Sequence, residues 1–273
     1  MSRRTLAEAA CEVLRAAAPA EKVALTRDAA AAWRDGRIVE IGNERPQDRP
    51  ARPPRPLLLP PRDMPKRKSG RSPEHRIALL HALAHIELNA IDLAWDIVAR
   101  FTGEDLPPAF YGDWVEVAEE EALHFSLLSD RLAALGAAYG DLPAHDGLWQ
   151  AAEETAQNLL ARLALVPLVL EARGLDVTPG TIAKLEHAGD GESAAVLRRI
   201  YEDEIGHVAV GRRWFEYICA RRGLEPVATW QDLVRRHFRG TLKPPFNDDA
   251  RRAAGFDAAF YRPLADEGRR KIA

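Results

Sequence analysis

The chain has 273 residues, 38 Lys and Arg against 41 Asp and Glu, a formal net charge of −3 and 47% apolar residues. That length admits one or two domains with a sizeable core, and the near-balanced charge fits neither a strongly basic nucleic-acid binder nor a disordered acidic chain. No uninterrupted apolar run reaches the roughly 18–20 residues of a membrane span, Glu8, Glu12 and Arg15 interrupt what would be the core of an export signal, and Cys11 and Cys219 make no disulfide framework or metal knuckle, so the expectation is a soluble cytoplasmic protein.

Residues 5–34 are Ala-rich and read as helix, with Leu6, Ala10, Val13 and Leu14 on one side. Nine prolines then fall between 43 and 73, which excludes helix and inner strand there. An ordered wrap of polyproline character, anchored by Leu57, Leu58 and Leu59, is one reading; a flexible linker is the other. Ser72-Pro73-Glu74 predicts a helix start, with the helix running to about 101. Further long helices are expected at about 112–135, 147–173 and 192–222, ended by Gly136, Gly174 and Gly223. Short helices are expected at 179–188 and 228–239, the second followed by Pro-rich and aromatic coil. Without β-branched runs or sustained alternation, the fold class is all-α with a four-helix bundle at its centre.

Each long helix carries a carboxylate where its apolar stripe calls for a hydrophobic side chain. The stripes run Leu80, Ala84, Glu87, Leu88, Ile91; then Val117, Glu121, His124, Phe125, Leu128; then Ala164, Pro167, Leu168, Glu171, Leu175; then Ile200, Glu204, His207, Val208, Gly211. Four carboxylates in an apolar interior are strongly disfavoured unless protonated or paired. Two divalent cations would neutralise them, and Glu and His three residues apart share a helical face that can hold one ion. The metal ligands predicted are therefore Glu87, Glu121, His124, Glu171, Glu204 and His207. Glu87 to Glu121 spans 34 residues and Glu171 to Glu204 spans 33, while Glu121 to Glu204 and His124 to His207 each span 83. The unit "Glu, then Glu-x-x-His" thus occurs twice.

This order of ligands resembles the ferritin-like di-iron carboxylate superfamily. The runs HALAHIELNAIDLAWD, EEEALHF, LEARGLDVTP and YEDEIGHVAVGRRWF also look like those of an uncharacterised bacterial ferritin-like family. The ligand pattern is similar to that of the tRNA hydroxylase acting on methylthio-isopentenyl-adenosine. The resemblance implies an N-terminal helix and Pro-rich wrap over 1–70, the bundle over 71–223 and a packed C-terminal extension over 224–273. It also implies two metal ions, with Glu121 and Glu204 bridging, Glu87 and Glu171 terminal, and His124 and His207 capping. Carboxylate and imidazole ligands suit iron, and also manganese; zinc would more often take fewer carboxylates.

Among neighbouring residues, Glu119, Glu120 and Glu202 read as solvated acids. Asp92, one turn from Asp96, or Asp203 could accept a hydrogen bond from a ligand histidine. His81 and His85 read as a polar face rather than ligands. Pro167 should distort its helix, either re-aiming Glu171 or simply following the bundle's shape. Glu171 is the least secure ligand if its helix ends at Gly174. Trp95, Tyr111, Tyr139 and Tyr201 read as core aromatics or as partners of the centre. Basic clusters at Arg62, Lys66, Arg67, Lys68 and Arg71, at Arg212, Arg213, Arg221 and Arg222, and at Arg235, Arg236 and Arg239 would suit tRNA, but no aromatic-interleaved RNA motif accompanies them. The expected function is a dinuclear, di-iron type oxidoreductase acting on O₂ or peroxide and a small-molecule substrate. It would use an external electron donor, since no nicotinamide or flavin fingerprint is present. The alternatives are iron storage, tRNA hydroxylation and di-manganese peroxide disproportionation. A monomer or small homo-oligomer outside the membrane is expected.

Overall fold

A computed structural model describes residues 4–65 and 72–270; Lys66, Arg67, Lys68 and Arg71 of the first basic cluster lie outside them. Among the described residues every regular element is helical apart from a single parallel bridge between Leu58 and Ala144. The chain divides into two units, Met1–Gln150 and Ala151–Ala273.

In the first unit, α1 (Leu6–Arg15) starts at a capping box in which Thr5 accepts from the Glu8 N–H and Glu8 accepts from the Thr5 N–H. The single helix expected over 5–34 is instead two. Pro19 forces the preceding residue out of helical geometry, so Ala18 is extended and α2 (Pro19–Arg34) begins on the proline. α3 (Pro73–Arg100) begins where the Ser-Pro-Glu run predicts, and α4 (Pro108–Ala134) starts four residues before the expected position, again on a proline. α3 packs against α4 and α1, and α2 against α4 and α1.

Over its described part the Pro-rich run is an ordered strap, but Leu57 and Leu58 are not its anchor. Leu57 is 64% exposed and Leu58 36%. Polar contacts hold it instead. The main chain of 57–59 pairs with Ala144, Ala51 N–H donates to the Leu14 carbonyl, and Gln47 and Arg49 reach Leu14 and Asp146. Without N–H groups at its prolines the strap cannot form a ladder, and this arrangement fastens it point by point.

By length and composition α3 could cross a membrane, with a mean hydropathy of 1.4 over its most apolar window, contrary to the expectation from uninterrupted runs. That window is 67% buried within the protein, and the helix carries buried His81, His85, Glu87, Asp92 and Asp96, as a core helix does.

In the second unit the helix expected over 147–173 is broken. α5 (Gly147–Glu154) begins within the first unit, a turn follows, and α6 (Leu159–Leu165) restarts with Asn158 as its cap, accepting from Ala161 N–H at 3.1 Å. Buried Arg162 bridges the break through Thr155 Oγ1 and the Ala152 carbonyl. The chain then widens into a π-helical stretch, Val166–Glu171, and continues as α7 (Ala172–His187). Gly174 therefore does not end a helix. Glycine in a helix costs about 1 kcal/mol, less than the burial of Leu175, Ile182 and Leu185 returns.

α8 (Gly191–Arg221) packs on α7 and on the π-helical stretch. A Cβ at Gly211 would lie 2.3 Å from Pro167 Cβ, so glycine there permits the π-helical stretch to lie directly on α8. The C-terminal segment holds three helices rather than one: α9 (Pro226–His237), α10 (Asp248–Ala253) and α11 (Ala258–Arg270). α9 packs on α6, α11 on α9, and α10 on α7 and α8.

Candidate metal centre

In the first unit, the α3 stripe carries Glu87 and the α4 stripe carries Glu121 and His124, all three buried. His124 Nδ1 lies 3.3 Å from Glu121 Oε2 and 3.7 Å from Glu87 Oε2. The three offer ligand atoms within 4.8 Å of one another and could hold a metal ion. Burial, then the Glu121 carboxylate, push the Glu87 carboxyl up to about 8. Burial also opposes an imidazolium at His124, but Glu121 and Glu87 outweigh it and raise its pKa to about 11. The imidazolium is thus the positive charge that makes the buried Glu121 carboxylate tolerable, while burial keeps the proton on Glu87. Glu87 Oε2 is buried with no hydrogen-bond partner, and the cation nearest to it is His124 at 3.7 Å, a place that a metal ion could take.

In the second unit, α8 carries the other Glu-x-x-His pair. His207 is buried, Glu204 is partly so, and His207 Nδ1 lies 3.8 Å from Glu204 Oε2. Glu171 is the last residue of the π-helical stretch and is half-buried. It lies inside a continuous helical run, not near an end. Pro167 does distort its helix, as expected, by widening it to π rather than by a simple kink.

The carboxylates proposed as histidine partners have other engagements. Asp92, fully buried, takes Lys22 Nζ at 2.6 Å on one oxygen and Arg52 on the other; Lys22 is as deeply buried. Burial pulls the Lys22 pKa down against the pull of Asp92. Asp96 is held by Arg100, and Asp203 by Arg199 at 2.7 Å. Glu119 forms a bidentate pair with Arg34, and Glu202 is exposed.

His81 and His85 are buried and bind the loop after α4. His81 Nε2 accepts from Gly140 N–H at 2.9 Å, and His85 lies 2.9 Å from Tyr139 Oη and 3.1 Å from the His145 carbonyl. The Tyr139 ring stacks on both. Trp95 donates to Thr26. Burial lowers the pKa of His81 and takes that of His85 down to about 4, so both are neutral fasteners.

The sequence offers no motif for what surrounds Glu171 on its C-terminal side. Asp176 meets Asn247 and Arg251 there, although they lie 71 and 75 positions further along the chain. Phe246, Phe256 and Tyr261 surround the Arg251 guanidinium at 5.2, 5.5 and 4.3 Å from the ring centres. Only Pro179, an unexpected proline once α7 is known to be one helix, hints that an outside donor is needed.

The fold and these side chains define an all-helical protein with buried glutamate–histidine groups of metal-ligand type. The chain belongs to the family described as "Protein of unknown function (DUF455)", whose model matches residues 15–262, a span that contains all six candidate ligands. An uncharacterised protein of Haemophilus influenzae is 45% identical over 219 residues, covering 77% of this chain and 75% of the relative. No solved structure matches.

Proposed function

We propose that the chain is a dinuclear metal oxidoreductase of the ferritin-like kind, acting on O₂ or peroxide and a small-molecule substrate. In this reading α3, α4, the α6–α7 run and α8 form one four-helix bundle around the metals. The observation that carries it is the buried group of Glu87, Glu121 and His124, in which Glu87 Oε2 has no hydrogen bond. The reading extends to Glu171, Glu204 and His207 through the repeated spacing of the sequence.

The donor set, carboxylates with imidazoles, fits iron first and manganese second. A bound iron pair would supply redox chemistry toward O₂ or peroxide. The chain's own part is fourfold. Glu121 brings negative charge, Glu87 and His124 surrender their protons when a cation replaces them, the buried surroundings exclude water, and the helices fix the ligand geometry. Reducing equivalents would come from a separate donor.

The tRNA reading gains no support, because Arg235, Arg236 and Arg239 each pair with a carboxylate, Glu267, Asp232 and Glu154. Metal content decides the first step. Protein from cells supplied with iron and manganese is expected to carry about two ions per chain, and the Glu121→Ala variant far fewer. Less than about one ion per chain, unchanged in Glu121→Ala and Glu204→Ala, would overturn the reading. Consumption of O₂ or peroxide by the reduced, loaded protein then tests the reaction class.

A further inference from the structure

The helix that continues from Glu171 contains Pro179, which has no N–H for the carbonyl four residues back, that of Leu175. The side-chain amide of Asn247 donates to this carbonyl at 3.1 Å. The Asn247 main-chain N–H donates to Asp176 Oδ1 at 3.0 Å. One turn on, Arg251 donates to both Asp176 oxygens, at 2.8 and 2.7 Å, and to the Ala172 carbonyl at 3.3 Å. The side chains of Asp176 and Arg251 are 0% and 4% exposed. Five hydrogen bonds therefore tie the turn 172–176, which begins at the residue after Glu171, to residues 247 and 251.

The winding explains why such a clamp is needed. A π-helical stretch holds an extra residue relative to an α-helix, and its position along a helix is not fixed by the backbone ladder alone. If the widened turn moved past Glu171, that residue would rotate by about 100° around the helix axis. The clamp grips main-chain and side-chain groups whose rotational position is fixed only while the widening ends at Glu171.

We infer that Asn247 and Arg251 are positioning residues for Glu171, holding the π-to-α transition in register so that its carboxylate stays aimed as a metal ligand. This inference rests on the proposed metal centre and adds to it that the C-terminal extension sets one of the ligands.

The test compares Co²⁺ binding and the visible absorption of bound Co²⁺ in the full-length wild-type chain and in Asn247→Ser, Arg251→Lys, Glu171→Gln and Glu121→Ala. Serine keeps an oxygen to cap α10, where Asn247 Oδ1 accepts from Ala250 N–H at 3.2 Å, but it cannot reach Leu175. Lysine keeps the charge on Asp176 but cannot make the paired contact or the Ala172 bond, and it decides the matter should the serine variant not fold. The expected result is that Glu171→Gln changes the Co²⁺ spectrum and that Asn247→Ser and Arg251→Lys change it in the same direction, with roughly tenfold weaker binding. Faster hydrogen exchange over 166–176 in both variants should accompany this. A wild-type spectrum and affinity in both clamp variants overturns the inference, as does a wild-type spectrum in Glu171→Gln. If Glu121→Ala abolishes Co²⁺ binding in either case, the centre itself stands. A wild-type chain that binds no Co²⁺ overturns both.

Discussion

Two carboxyl groups side by side in a protein interior resist ionising together; burial keeps the proton on Glu87, and the His124 imidazolium answers the Glu121 carboxylate. The consequence is a definite pH dependence. Glu87 keeps its proton in the folded chain to about pH 8, whereas its ordinary pKa is near 4.5. His124 keeps its proton to about pH 11 against an ordinary 6.5. Both groups hold protons in the folded state that the unfolded chain has released, so both contributions are present at low pH and are lost as pH rises. Loss begins above about 4.5 for Glu87 and above about 6.5 for His124, continuing through about 8 and 11. Urea midpoints of the metal-free chain should therefore fall steadily on the alkaline side of neutrality, and Glu87→Gln should flatten the lower part of the slope. A midpoint that rises between about pH 7 and pH 10 would show that the proton is not held there.

Asp92 allows a second prediction at this scale. It binds two cations, so the loss of one partner differs from the loss of the acid. Asp92→Ala leaves Lys22 buried and unpaired and should cost about 3–5 kcal/mol. Lys22→Met leaves Asp92 paired with Arg52 and should cost clearly less. Equal losses in the two variants, measured by chemical denaturation, would contradict this account.

At the scale of elements, the periodic stripes identified the faces correctly because burial imposes a 3.6-residue period on any core helix. Glu87, Glu121, His124 and His207 are all buried where the stripes put them. Breaks and joins were less legible. Pro19 and Asn158 end or restart helices through local backbone preferences that an alanine-rich or leucine-rich run conceals. Gly174 and Pro179, by contrast, are punctuation that the fold overrides, because burial of α7 and the hydrogen bond from Asn247 outweigh the local cost. The π-helical stretch carries a prediction of its own. Gly211→Ala would drive a methyl group into Pro167 and should cost about 1–3 kcal/mol, seen as a lower urea midpoint. An unchanged midpoint would mean that the stretch lies farther from α8.

For the whole molecule, the charge account is the informative one. A formal −3 includes carboxylates whose neutralisation is part of the proposed function. A ligand that binds only the folded state stabilises by RT ln(1 + [L]/Kd), so a metal at a hundred times its Kd adds about 2.7 kcal/mol. Adding Fe²⁺ or Mn²⁺ under anaerobic conditions should thus raise the wild-type melting temperature by several degrees and leave that of Glu121→Ala unchanged. Equal shifts in the two proteins would assign the metal effect to another place on the chain.

By itself the sequence determined the all-helical class, the faces of the long helices and the carboxylates and histidines that stand on those faces. Each of these follows from periodicity and from the electrostatic cost of a carboxylate in an apolar stripe, which a linear chain records. Only the tertiary structure decided that the Pro-rich strap is held by polar contacts rather than by Leu57 and Leu58. Only it showed that Asp92 answers Lys22 and Arg52, and that Asn247 and Arg251 grip the turn after Glu171. The pairings of Asp92, Asn247 and Arg251 join residues 40 to 75 positions apart through single hydrogen bonds and ion pairs, and such contacts leave no period in the sequence to read.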